Sequence, residues 1–205
     1  ETHAKARTAY AAYITKVLTL AGYPRANAAA DSIIKIEQRL AEAQWKKEDN
    51  RDPVKTYNKK SLDEMKTLAG SIDWPKLLQG LGINEKTVIV SQPSYLQAFG
   101  KIWNDVPLQD WQDYFTLKTV NAFANYMSDA FVQARFDFRG RAISGQKELK
   151  PRWKRGVELV EGSLGEVVGK LYVANYFKEE SKQRMDQLVE NLRAAYKVGI
   201  NELSW

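Results

Sequence analysis

Beside its carboxylates, one imidazole and no thiol are all that this chain can set against a reactive metal: His3 is its single histidine, and it has no cysteine. A catalytic zinc takes three protein ligands, commonly with two His among them, and keeps a further position open for water. The same count removes Ser-His-Asp and Cys-His arrangements unless a second chain completes them, and His3, near one end, reads as a solvated imidazole. Adjacent carboxylates occur at Asp63-Glu64 and Glu179-Glu180, but neighbours on a helix point about 100° apart and do not converge on one substrate atom. Gly162, Gly165 and Gly169 have the composition of a phosphate loop, yet they fall inside helical periodicity instead of between a strand and a helix. These residues therefore give no catalytic group, no metal ligand and no nucleotide site.

Two other constellations could bind. Lys147, Lys150, Arg152, Lys154 and Arg155 surround Trp153, and cations around an aromatic ring can take phosphates and stacked bases. Glu148 and Glu158 flank the cluster, which favours a solvated helix start with its tryptophan turned inward over a nucleic-acid surface. In Asn50-Arg51-Asp52-Pro53-Val54-Lys55-Thr56-Tyr57-Asn58, Asp52 and Asn58 suit turns and caps, Pro53 stiffens the backbone, and Tyr57 is expected to pack beneath the loop. Arg51 carries a guanidinium suited to hold a carboxylate through two parallel hydrogen bonds, although the ordinary state of an exposed Arg in a polar loop is a solvated one.

Charges are balanced and mixed, 31 Lys and Arg against 25 Asp and Glu for a formal +6, with 44% hydrophobic residues. That composition is globular and large enough for its own core. No apolar run reaches the roughly 20 residues of a membrane span. The chain opens with Glu and stops at Trp205 inside an amphipathic stretch, so both ends read as cuts in something longer.

Apolar spacings of three and four predict helices over 2–21, stopped by Gly22-Tyr23-Pro24, and from Ala29 to about Lys46, paired as an antiparallel hairpin. Residues 48–60 read as an ordered loop. Ser61-Leu62-Asp63-Glu64 is a capping box, and Asp73-Trp74-Pro75 starts a further helix. Thr87 to Val90 is a β-branched run, too solitary for a sheet unless it pairs outside this chain. A helix from Pro93 to Ile102 and a long core helix from Leu108 to about Phe136 follow, the latter carrying Trp111, Phe115, Val120, Phe123, Tyr126 and Phe131. The pattern breaks over 138–145 and resumes from Trp153 to Phe177, with a break near Gly162 or a close helix contact indicated by three glycines. A last helix runs through Met185, Leu188, Leu192 and Tyr196 to Leu203, with Ser181 as its cap.

The Asn50–Asn58 string, the cap that follows it, and Gly169-Lys170-Leu171-Tyr172-Val173 followed by Glu180-Ser181-Lys182, Leu188-Val189 and Leu203-Ser204-Trp205 together resemble the N-terminal, non-catalytic part of the neprilysin and endothelin-converting-enzyme zinc metallopeptidases. The likeness extends over the whole chain and is strongest at 39–64 and 164–205. It implies a mainly α fold, the helical cap lobe that encloses the substrate chamber of a neprilysin-like zinc metalloendopeptidase, built around the helices at 108–136 and 156–203. It implies zinc in the full-length enzyme, held by a His-Glu-x-x-His motif that this sequence lacks, and none bound by these residues. The implied partners are a C-terminal catalytic domain, on the same polypeptide or as a separate nicked chain, and peptide substrates; the implied location is secreted, periplasmic or cell-surface. Some mammalian relatives place an Arg in the loop matching 50–53 to meet the carboxyl end of bound peptide, in the order Arg-Asn-Asp-Pro, one place from Arg51, so the resemblance implies Arg51 as the substrate-binding residue. The missing cysteines suggest a bacterial-type member. The alternative is a stand-alone helical protein-interaction module.

Overall fold

The structure, a computed structural model, describes residues 2–204 and the side chains of residues 4–204. It divides into two compact units, Glu1–Leu149 and Lys150–Trp205.

In the first unit, helix α1 (Thr2–Leu20) ends where Gly22 takes the left-handed φ of 69° that a Cβ would oppose. The Gly22 amide donates to the Thr19 carbonyl and the Tyr23 amide to that of Leu18, so the last turn closes on itself. Helix α2 (Ala26–Glu42) returns alongside it, and Ile14, Val17 and Leu18 of α1 are fully enclosed with Ala29 and Ile33 of α2. The alanines at 26, 29 and 30 leave room for the two backbones to approach. Each large side chain buried there contributes about 1.5–3 kcal/mol over its exposed state.

A short β1 (Lys59–Ser61) leads into α3 (Leu62–Leu68), whose capping box is formed: the Glu64 amide donates to Ser61 Oγ, and the Ser61 amide donates to Glu64 Oε2 at 2.7 Å. Asp73 Oδ1 accepts from the Lys76 amide and starts α4 (Trp74–Gly80), with Pro75 in its first turn. Then β2 (Thr87–Ile89) pairs antiparallel with β1, Lys60 opposite Val88. The Thr87–Val90 run therefore finds its partner inside this chain, in a lysine-rich segment whose polarity hid its extended geometry.

Helix α5 (Pro93–Asp105) precedes α6 (Leu108–Phe123). The expected single helix over 108–136 is broken: after α6 come a 3₁₀ turn (Ala124–Tyr126) and α7 (Asp129–Arg135), with Ser128 in extended geometry between them. Trp111 and Phe131 are buried as expected, whereas Phe115, Phe123 and Tyr126 are exposed and Leu117 takes the core position. From Phe136 to Ile143 the chain does not fall into loop; it winds into a π-helix that buries Phe136 and Phe138. Phe138 stacks on Tyr10 and Tyr13 of α1, ring centroids 5.1 and 4.9 Å apart.

The second unit comprises α8 (Arg152–Tyr176) and α9 (Glu179–Asn201). Leu164 leaves helical geometry inside α8 (φ −133°, ψ 26°), a break between Gly162 and Gly165. Lys178, not Ser181, precedes the first turn of α9, and Ser181 lies within the helix. No described residue of α8 or α9 is buried. The core consequently does not form around 156–203: it sits among α1, α2, α6, α7 and the π-helix, where the side chains interlock.

Candidate functional site

Arg51 is held by a rigid loop. Residues Asp49–Arg51 form one 3₁₀ turn, closed by the Arg51 amide on the Glu48 carbonyl and the Asp52 amide on that of Asp49. Asp52 Oδ1 then accepts from the amides of Val54 (2.9 Å) and Lys55 (3.1 Å), while Thr56 Oγ1 donates to the Asp52 carbonyl at 2.8 Å. Lys55 Nζ reaches Asp49 Oδ1 at 3.0 Å, and that hydrogen bond pushes the ammonium pKa up. At the far end Asn58 Nδ2 donates to the Lys55 carbonyl, and the Val90 amide donates to the Asn58 carbonyl, so the loop is sewn to β2.

On this frame Arg51 is exposed, and its guanidinium makes no hydrogen bond or ion pair among the described residues. Tyr57 does not pack beneath the loop but stands exposed, like Val54: the Asp52 hydrogen bonds do the ordering, and the ring is not needed for it. The loop thus presents an exposed guanidinium, a group whose planar fork can hold a carboxylate through two hydrogen bonds.

A second polar centre lies inside the first unit. Asp113, fully buried on α6, accepts from Tyr23 Oη (2.6 Å), Gln109 Nε2 (3.2 Å) and Arg25, whose Nε and Nη2 lie 3.1 Å from Oδ1 and Oδ2 respectively. Burial works against ionisation, but the hydrogen bonds from Arg25, Tyr23 and Gln109 together outweigh it and hold the carboxyl below its usual range. With its oxygens occupied by four donors, Asp113 has no free lone pair aimed at a substrate; it fastens α6 to the α1–α2 turn. The sequence reading passed over it. The available signal was an acid four residues from Leu117, on the core-facing stripe of an apolar helix.

A similar tie joins Glu37 of α2 to Tyr10 Oη at 3.0 Å and to Lys118 Nζ at 2.5 Å. Burial and the Glu37 carboxylate raise the Tyr10 pKa. The basic cluster is arranged otherwise than expected: Trp153 is 68% exposed, not turned inward, with Lys154 Nζ 5.4 Å from its ring centroid. Lys150 is paired with Glu158. A tryptophan in the first turn of α8 has no described core beside it to enter. Asp63 and Glu180 engage Lys66 and Arg184 on solvated faces.

Among the described residues no three His, Cys, Asp or Glu side chains converge where they could hold a metal ion. The donors present do not fit a catalytic zinc. The side chain of His3 lies outside the described residues. No described helix is long and apolar enough to cross a membrane.

The family model described as Peptidase family M13, for its N-terminal part, matches residues 1–205. The chain is similar to a neutral endopeptidase of Lactobacillus helveticus, 29% identical over 186 residues that cover 90% of this chain and 28% of that protein. It is also similar to neprilysin of Oryctolagus cuniculus, 26% identical over 85% of this chain and 25% of the relative. Among solved structures, the Mycobacterium tuberculosis zinc metalloprotease Zmp1 in complex with inhibitor superposes with a TM-score of 0.85 at 35% identity, covering 100% of this chain and 32% of that one. PepO from Lactobacillus rhamnosis shares the fold, with a TM-score of 0.83 at 20% identity over 100% of this chain and 33% of PepO. The chain spans a third or less of the length of each.

Proposed function

Because this chain belongs to peptidase family M13, we propose that it is the N-terminal, substrate-enclosing lobe of a zinc metalloendopeptidase that hydrolyses peptides. One observation carries the reading: these residues align over 90 to 100% of their length with relatives three times their length or more, and among the described residues no metal-holding set of donors comes together. In that arrangement zinc, its ligands and the general base belong to polypeptide outside this chain, and the lobe by itself does not hydrolyse peptides. Its work is steric and electrostatic. It walls a chamber that admits peptides and excludes folded proteins, and Arg51 orients a substrate carboxylate.

The exposed apolar side chains of α8 and α9, among them Leu171, Tyr172, Leu188 and Leu192, support a catalytic C-terminal domain as the partner that covers them. A secreted, periplasmic or cell-surface location follows from the family likeness alone.

Zinc content and hydrolysis of an internally quenched peptide, measured on the 205-residue chain with and without the remaining polypeptide, test the proposal. Zinc and turnover are expected only with both pieces. Stoichiometric zinc and proteolysis from this chain alone would overturn it.

A further inference from the structure

The two-stranded sheet leaves one edge open. The Val90 amide donates to the Asn58 carbonyl, and the Leu62 amide donates to the Lys86 carbonyl. Pairs alternate in an antiparallel ladder, so Lys60 and Val88 face each other through hydrogen bonds, while the amides and carbonyls of Thr87 and Ile89 point away from β1. None of these outward groups has a partner among the described residues. The opposite edge is not equivalent, since the Ser61 amide on β1 is already taken by the Glu64 carboxylate. Val90 is buried and anchors β2, whereas Ile89 is 57% exposed on the solvated face beside Lys59.

We infer that the outer edge of β2 binds an extended peptide by strand addition, through the amides and carbonyls of Thr87 and Ile89, and that it favours an acidic segment. Main-chain pairing tolerates most side chains, which suits a lobe that must hold varied peptides; in this the inference rests on the enclosing role proposed above. Charge selects the occupant. Lys86 leads into this edge and Lys59 stands on β1 opposite Ile89, neither in an ion pair among the described residues, and Glu85 precedes Lys86. A second copy pairing on β2 would bring the same lysines together, and short lysine-bearing edges resist such self-association; a peptide carrying carboxylates meets attraction instead.

The test is fluorescence anisotropy of this chain with a labelled, end-blocked heptapeptide of alternating Glu and Val. Methylating the amides of one alternate set should abolish binding, and methylating the other set should leave it intact, because only one set faces β2. Ile89→Pro removes an outward amide that no ladder bond uses and should weaken binding about tenfold, while Ile89→Val should bind as the parent does. Circular dichroism confirms that both variants keep their helices. Equal effects of the two methylation registers, or full affinity of a folded Ile89→Pro, would overturn the inference, as would no binding at all. Protection of the Thr87 and Ile89 amides from exchange in the longer protein without peptide would overturn it too, since the rest of the polypeptide would then hold the edge. Reconstituted activity with register-blind binding removes the edge and leaves the lobe standing; register-selective binding without reconstitution does the reverse.

Discussion

Asp113 keeps a charge inside a helical unit because four donors converge on it, and that is a stability device with a pH signature. Its folded pKa is depressed, so the native state holds its proton less tightly than the unfolded chain does. Its contribution is full above the unfolded-state value of about 3.9 and is lost as pH falls through the lower folded value. Tyr23 has the opposite sign: its hydrogen bond to Asp113, then burial, raise its pKa, so its share is complete below about pH 10 and fades as pH rises towards the folded value. Asp113→Ala strands Tyr23 and Arg25 and is expected to cost about 2 kcal/mol in urea unfolding at pH 7. Asp113→Asn should flatten the acid limb of the stability curve below pH about 4; an unchanged acid limb would count against the assignment. Arg51, whose side chain makes no hydrogen bond or ion pair among the described residues, should behave otherwise. Arg51→Ala is expected to leave thermal unfolding unchanged and, in the reconstituted enzyme, to raise KM for peptides with a free C-terminal carboxylate but not for their amidated forms.

At the scale of elements, local chemistry placed what depends on near neighbours. The Gly22 stop, the Ser61 capping box and the Asp73-Trp74-Pro75 start were all legible, because each is decided within four residues along the chain. Ser61→Ala should lower stability by about 1 kcal/mol, read from the urea midpoint. The π-helix was not legible: its apolar residues break the 3.6 period, and the rings on which Phe138 stacks, Tyr10 and Tyr13, lie far away in sequence. Gly140 sits where a Cβ would come within 2.4 Å of the Phe136 ring. Gly140→Ala is therefore expected to destabilise by about 1–3 kcal/mol through overpacking, seen as a lower Tm, whereas Gly156→Ala, with open space around it, should not. The same dependence on distant partners explains the division of the expected 108–136 helix. Periodicity continues across Ala124–Tyr126, but the 3₁₀ turn after α6 lets α7 bring Phe131 into the core.

For the whole molecule, the contrast between the units is the main guide to role. The first encloses a core of large apolar side chains, Ile14, Leu18, Ile33 and Leu117 among them, whereas no described residue of α8 or α9 is buried and Leu164, Leu171, Leu188 and Tyr196 are each more than half exposed. The isolated chain is expected to bind the dye ANS, and Leu188→Glu with Leu192→Glu should reduce that signal without loss of helicity. Addition of the remaining polypeptide should quench it in the parent; persistent dye binding in the reconstituted complex would argue for the stand-alone interaction module.

The residues by themselves determined that the chain is mainly helical and that it lacks the imidazoles and thiols of a catalytic zinc site, because helical period, caps and ligand counts are properties of the chain as written; its family was legible only as a resemblance carried by the Asn50–Asn58 and Gly169–Val173 strings. Tertiary structure alone decided which helices share a core, that β2 pairs with β1, that Asp113 is buried and that Trp153 and Tyr57 are not. Each of those depends on groups brought together from far apart in sequence, such as Tyr23 with Asp113 or Asn58 with Val90, and spacing along one segment carries no record of the partner it will meet.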